Sequence, residues 1–305
     1  MNIAITGVNG FVGKHLAREV ISQGHHVLGV GQEPAADEAI SGSLTEYISC
    51  DLTQSWPDFQ NDVDAVIHLA GLAAIGPSFE RPQDYINLNS AMVTHLCEYY
   101  VSADKKPRIV LISSGAIYDP NQPMPISEAG EIRYDSPYAV SKVLNESQAR
   151  YYNGRGLEVV VMRPFNHIGP GQLPGFLVPD LAEKLRSRSS ENDPIQVGNL
   201  QTRRDYTDVR DVARAYVMVA SSSERPRHPV YNVSSGKSVA GEAVLAAVAR
   251  AMNIDTPKVE VDQSLIRPND IPDIRGDNSR LSSEFGWQPS YDFQQTIDDF
   301  VASLG

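Results

Sequence analysis

Cysteine is almost missing from this chain, with two in 305 residues. Cys50 and Cys97 have no metal-like spacing, which argues against a disulfide framework or a zinc site. Also missing is any early apolar stretch near the ~20 residues of a membrane span, and Met1-Asn2 leads straight into a strand-like run. The expectation is no signal peptide, no membrane partner, no metal and a cytoplasmic location. Positive charge is in deficit: 26 Lys and Arg against 38 Asp and Glu leave a formal charge of −12. That balance argues against nonspecific nucleic-acid or membrane-surface binding. No repeat, coiled coil or low-complexity tail interrupts the chain. What is present is ordinary for a globular protein, 41% hydrophobic and 21% charged, and enough for one large domain or two moderate ones.

Short β-rich runs alternate with helical patterns through the first half, which predicts an α/β fold with a doubly wound parallel sheet covered on both faces. Strands are expected at 2–6, 26–30, 46–49, 65–69, 108–112 and 158–162. Near-continuous apolar runs such as Ile109-Val110-Leu111-Ile112 suit central strands buried on both faces. Val12, Leu16 and Val20 mark one helix face, and Gly24 marks its stop. A long helix is expected over 85–103. Ser136-Pro137 reads as an N-cap with proline at the first helical position. After Arg163, Pro and Gly cluster at 164–171 and 174–175, which predicts a crossing between two lobes. A cofactor domain over 1–165 then gives way to a smaller, interleaved substrate lobe over 166–305, with segments near 203–235 returning to the first. That half carries helices near 176–188, 208–221 and 239–252 and a strand at 230–233, and one of its strands is expected to join the sheet.

Gly7-Val8-Asn9-Gly10-Phe11-Val12-Gly13 directly follows the apolar run Ile3-Ala4-Ile5-Thr6. Glycines there permit a tight turn and close backbone approach, and the helix N-terminus offers free N–H groups to a pyrophosphate. The bland alternative is a glycine-rich βα turn without a ligand. Asn9, Phe11 and Val12 belong to the same cradle. Further along, Asp51-Leu52 is a candidate adenine contact, Leu69-Ala70-Gly71 flanks the ribose and pyrophosphate, and Asn87 ties its helix to the strand ends. The end of the second strand, Val30-Gly31-Gln32-Glu33, lacks the usual acid, yet no Arg follows. The choice between NAD and NADP stays open here.

Tyr138 and Lys142, four apart on a helix, face the same way. An unperturbed phenol titrates near pH ~10, and bringing it to about 7 takes roughly 4 kcal/mol. A nearby ammonium and a cationic nicotinamide have the right sign for that help, so the pair reads as the proton-transfer half of a hydride-transfer enzyme. Ser113-Ser114 ends the fifth strand, where the Ser114 hydroxyl can hydrogen-bond a substrate carbonyl and hold the tyrosine. An ordinary polar strand end is the alternative.

With the glycine turn, Ser114, Tyr138 and Lys142 placed, the chain resembles the extended short-chain dehydrogenase/reductases, the NAD-dependent epimerase/dehydratase type acting on nucleotide sugars. The resemblance covers essentially the whole chain. It implies a Rossmann domain, a nucleotide-diphosphate sugar as substrate and a homodimer formed through a four-helix bundle. It also implies that Ser113 and Phe165 contact the cofactor and Val178 the substrate. Asn166, in Arg163-Pro164-Phe165-Asn166, would bind the sugar nucleotide. Arg204 and Arg267 would hold the diphosphate and Asp270 the ribose, although such arginines can also pair with surface carboxylates. His167 either touches the sugar or packs within its loop.

Residues 165–172 with 204–211 look most like the GDP-4-dehydro-6-deoxy-D-mannose reductase branch. Ser114 is followed by Gly115-Ala116-Ile117, without the acids a sugar dehydratase needs to eliminate water. The leading expectation is therefore reduction of a C4 ketone by NAD(P)H. A UDP-hexose 4-epimerase with retained NAD and a noncatalytic NAD(P)-sensing regulator are the alternatives.

Overall fold

Alternate residues of each apolar run face opposite sides of a strand, and both sides are covered in this chain. A computed structural model describes residues 1–190, 193–266 and 271–305. The first half runs β1 (Asn2–Thr6), α1 (Phe11–Ser22), β2 (His26–Gly31), the short α2 (Glu38–Ser41), β3 (Glu46–Ser49) and β4 (Ala65–His68). Next come the short α3 (Ile75–Ser78), α4 (Pro82–Val101), β5 (Arg108–Ile112), α5 (Pro137–Gly154) and β6 (Glu158–Pro164). The second half contributes β7 (Asn166–Ile168), α6 (Leu177–Arg186), β8 (Ile195–Val197), β9 (Arg203–Asp208), α7 (Val209–Ser221) and β10 (Val230–Val233). It ends with β11 (Ser238–Ala240), α8 (Gly241–Ala251), β12 (Val259–Val261), β13 (Asp273–Ile274), α9 (Ser279–Phe285) and α10 (Phe293–Ala302).

Seven parallel strands form the main sheet in the order β10-β6-β5-β4-β1-β2-β3. Ile3, Ile5, Ile67, Val110 and Val160 pack on one face against Leu16 and Val20 of α1 and Val212, Tyr216 and Val219 of α7. Ala4, Val66, Ile109, Leu111 and Val159 pack on the other against Val93, Leu96 and Tyr100 of α4 and Ala149 and Tyr152 of α5. Each large aliphatic side chain so buried contributes about 1.5–3 kcal/mol. Helix α7 and strand β10 follow the Pro/Gly crossing, yet both complete this first layer. Strand order reverses between β1 and β4, and in open parallel sheets ligands bind at the carboxyl ends beside such a switch point.

β9 pairs with β11, β13 and β7 in a smaller sheet, and β8 pairs with β12. A separate core of Val178, Leu181, Leu185, Val244, Val248, Ile297 and Phe300 joins α6, α8 and α10. Asp205 fastens β9 to its surroundings by accepting from the backbone of Ser235, Gly236 and Gly276. Among the described residues no helix is long and apolar enough to cross a membrane, and no group of His, Cys, Asp or Glu is placed to hold a metal ion.

Candidate active site

The glycine turn closes the carboxyl end of β1. Gly7 has φ +68°, and its N–H donates to the Val30 carbonyl at 2.8 Å. Gly10 caps α1 without a side-chain hydrogen bond, so the first-turn N–H groups lack intrahelical acceptors. A Cβ on Gly13 would lie 2.3 Å from the Gly7 carbonyl oxygen and 2.6 Å from that of Val8. This spacing presses the helix start against the strand and turns its amides, with those of Phe11 and Val12, outward. The cradle fits a pyrophosphate.

Asn9 does more than line the turn. Its Nδ2 donates to Glu33 Oε2 at 3.0 Å and its Oδ1 accepts from the Asp37 N–H at 2.9 Å. A Cβ on Gly31 would lie 2.6 Å from Tyr47 Oη and 2.7 Å from Glu33 Oε2. A carboxylate from two residues later, that of Glu33, thus folds back over Gly31 at the end of β2. Position-by-position reading missed it because the expected site held glycine. Gln32 is exposed. Asp51 accepts from both Thr53 N and Thr53 Oγ1, bonds that keep its carboxyl below the usual range, and Leu52 is buried in the core beneath.

At the end of β4, Ala70 N donates to Thr6 Oγ1 at 3.0 Å, which draws Leu69-Ala70-Gly71 against the glycine turn. The expectation for Asn87 fails. Asn87 is exposed and bonds only within its helix, accepting from Gln83 Nε2. Asn89 makes the tie instead: buried, it accepts from Leu72 N at 2.8 Å and donates to Ser141 Oγ at 3.0 Å. Two residues on a helix are about half a turn apart, so the phase settles which asparagine faces inward.

Ser136 caps α5 by accepting from Ala139 N, with Pro137 opening the helix, and thereby aims Tyr138 and Lys142 at the ends of β4 and β5. The Lys142 ammonium lies 5.9 Å from the Tyr138 ring centroid and donates to the Ile112 carbonyl at 2.9 Å. Ser114 Oγ accepts from Ala116 N at 3.1 Å, and its hydroxyl is close enough to the Tyr138 phenol to favour the ionised form. Burial pushes that phenol above its ordinary value, the Ser114 hydroxyl opposing and Tyr85 adding. Burial also lowers Lys142 to about 8, with the Glu146 carboxylate opposing. The arrangement presents a protonated phenol at neutral pH, with a hydroxyl partner and a cation beside it. Ser113 takes another part. Its Oγ donates to Glu146 Oε1 at 2.5 Å, so its side chain faces the interior rather than a ligand.

On the substrate side, Phe165 is buried, stacked on Tyr118 with centroids 6.0 Å apart, and its ring packs against Gly115. Asn166 is exposed on β7, paired with Tyr206 of β9, and Arg204 stands two residues along that strand, donating to the Ile271 carbonyl at 2.7 Å. His167 stacks on Phe11 at 6.1 Å, and His15 Nε2 donates to the Pro170 carbonyl at 2.8 Å. Burial lowers both imidazoles, His167 against a bond from its ring to Phe165 O and His15 against its Pro170 bond. The glycine turn and the segment around Asn166 are therefore braced together. Val178 is a correction: its side chain is buried in the second core and offers no ligand surface. Arg267 and Asp270 lie outside the described residues.

The NAD dependent epimerase/dehydratase family profile matches residues 3–234. The chain belongs to this family. GDP-6-deoxy-D-mannose reductase of Pseudomonas aeruginosa is 30% identical over 96% of this chain and 93% of its own length. UDP-glucose 4-epimerase of Bacillus subtilis is 25% identical over 98% of this chain and 95% of its own. A solved UDP-glucose-4-epimerase from Stenotrophomonas maltophila, with bound NAD and formylated UDP-arabinopyranose, superposes with a TM-score of 0.87 at 23% identity, covering 99% of this chain and 97% of that one. The epimerase/dehydratase fold thus accounts for the molecule from end to end.

Proposed function

We propose that this member of the epimerase/dehydratase family is an NAD-dependent nucleotide-sugar enzyme that reduces the C4 ketone of a 4-keto-6-deoxy hexose such as GDP-4-dehydro-6-deoxy-D-mannose. The observation that carries the reading is the buried Tyr138 phenol, with the Ser114 hydroxyl and the Lys142 ammonium beside it. Burial keeps the phenol protonated, as an acid for ketone reduction must be. The turn Gly115–Ile117 carries no carboxylate to protonate a departing hydroxyl, which disfavours dehydration. The 30% identical reductase supports reduction over epimerisation.

Gly7, Gly10, Phe11, Val12 and Gly13 would hold the dinucleotide pyrophosphate, and Leu69, Ala70 and Gly71 its neighbouring ribose. When bound, the reduced nicotinamide supplies the hydride. Tyr138 Oη gives its proton to the alkoxide oxygen, Ser114 Oγ orients the carbonyl before that transfer, and Lys142 stabilises the phenolate left behind. Asn166 and Arg204 bind the sugar nucleotide, and the 166–305 lobe covers it. In the decisive assay, purified protein is given NADH or NADPH and absorbance of the reduced nicotinamide is followed. Oxidation that requires a 4-keto-6-deoxy nucleotide sugar supports the reductase. Efficient epimerisation of UDP-hexoses without added nicotinamide would replace it with the 4-epimerase reading.

Glu33 sets the cofactor preference within this reading: its carboxylate accepts from the adenosine 2′-hydroxyl and repels a 2′-phosphate. Replacing Glu33 with Gln is expected to weaken NADH binding about tenfold or more, the worth of a charged hydrogen bond, and to narrow the gap to NADPH. Titration by nicotinamide fluorescence checks this, and an unchanged NADH affinity would assign the ribose to another group. We also propose a homodimer through α4 and α5, where Leu144 and Tyr151 stand exposed seven residues apart on one face of α5. The double substitution Leu144→Glu/Tyr151→Glu should give a monomer by light scattering. A wild-type mass for that variant would place the interface elsewhere.

A further inference from the structure

Tyr138, Lys142 and Glu146 stand at successive turns of α5, and residues four apart share a helix face. The reaction proposed above uses the first two and leaves Glu146 idle, although its surroundings are elaborate. Arg163 of β6 grips it twice, Nε to Oε1 at 2.9 Å and Nη2 to Oε2 at 2.6 Å. The two side chains are only 5% and 11% exposed, Arg163 first. Ser113 Oγ donates to the same Oε1 at 2.5 Å. Arg163 Nη1 continues to Tyr118 Oη at 2.7 Å, and that phenol donates to Asn232 Oδ1 at 2.7 Å. Burying an ion pair costs several kcal/mol per ion, and apolar residues of similar volume would pack as well or better. The pair's place, one turn from Lys142 and bonded to Ser113, the neighbour of Ser114, suggests what it is for.

We propose that Glu146 is a positioning residue that keeps Lys142 cationic and clamps the β5 end carrying Ser114, so that Tyr138 works as a proton donor. The inference rests on the Tyr138/Lys142 reading of the site. Lys142 Nζ itself bonds a neutral carbonyl, that of Ile112. From β4 it is faced by His68, which burial lowers to about 3 and which is therefore uncharged near neutrality. From its own helix it is faced by the protonated Tyr138 and by Glu146. Beyond Glu146, Arg163 on β6 is cationic, and burial opposes its charge while the Glu146 bonds raise its pKa further. Glu146 is the carboxylate that offsets the burial holding Lys142 at about 8. Without it the ammonium loses its proton at lower pH, and the phenolate loses its counter-charge.

The test is the pH dependence of kcat, with the pH dependence of NADH binding by nicotinamide fluorescence as a second readout. In Glu146→Gln the alkaline limb of both should move to lower pH, with the KM for the nucleotide sugar nearly unchanged. Because that variant strands a buried guanidinium, Glu146→Gln/Arg163→Met removes both charges together and should move the limb the same way. Ser113→Ala, which cuts the strand tie without changing charge, should leave the limb where it was. A merely structural Glu146 would lower kcat evenly across pH, and an unmoved limb in whichever of the two charge variants folds overturns the proposal. Tyr138→Phe in the same assay separates the failures: turnover there sinks the site reading, whereas a dead Tyr138→Phe with an unmoved Glu146→Gln limb sinks only this inference.

Discussion

Replacing Tyr138 with Phe is expected to lower kcat for ketone reduction about 100- to 10,000-fold, the usual worth of a placed general acid, while NADH binds as before. The ring of Tyr138 packs edge-on to Tyr85, with centroids 6.4 Å apart, and phenylalanine keeps that contact. Only the hydroxyl, with its proton, is removed. Lys142 retains its hold on the Ile112 carbonyl, so the strand end and the cofactor cradle should not move. The measurement is steady-state oxidation of NADH alongside a nicotinamide fluorescence titration. Wild-type turnover by the variant would transfer the acid role to another group and remove the basis of the proposed chemistry.

The second large effect is expected in the cradle. A Cβ on Gly13 meets two backbone carbonyl oxygens, at 2.3 and 2.6 Å, and neither can rotate away as a side-chain tip would. Gly13→Ala must therefore push α1 off β1. Overpacking of this kind costs about 1–3 kcal/mol, and the rigidity of the obstacle favours the upper end. Because the displaced helix start carries the amides that face a pyrophosphate, NADH affinity should fall at least about tenfold, about 1.4 kcal/mol. Thermal unfolding and nicotinamide fluorescence measure the two losses separately. Wild-type values in both would show that the helix start has slack the structure does not display.

Much of this arrangement was legible in the sequence because its causes are local. The strand at 46–49 and the one at 108–112 coincide with β3 and β5, the second because an apolar run of that length bounded by polar residues allows little else. Ser136-Pro137 announced the start of α5 through capping chemistry alone. The N-terminal turn was legible for the same reason. Failures came where the answer depended on phase or on distant partners. Asn87 and Asn89 are both plausible on paper, and only the packing of α4 on α5 selects Asn89. Ser113 and Ser114 are adjacent, so an extended backbone sends one to Glu146 and leaves the other beside Tyr138. Glu33 was overlooked because its carboxylate reaches the Gly31 corner through a fold of the loop, held by Asn9 from 24 residues earlier. Val178 was assigned by likeness of segment, and the hydrophobic demand of the second core claimed it.

β10 closes the outer flank of β6, and this has a consequence for how the chain is made. On the ribosome, residues 1–164 can emerge and lay down six strands, but the sixth keeps one row of backbone N–H and C=O groups unpaired until residue 233 has left the exit tunnel. An open strand edge of that kind invites pairing with other chains. Residues 165–229 are synthesised during this vulnerable interval. Nascent chains halted before residue 230 should accordingly need chaperone protection that the finished polypeptide does not.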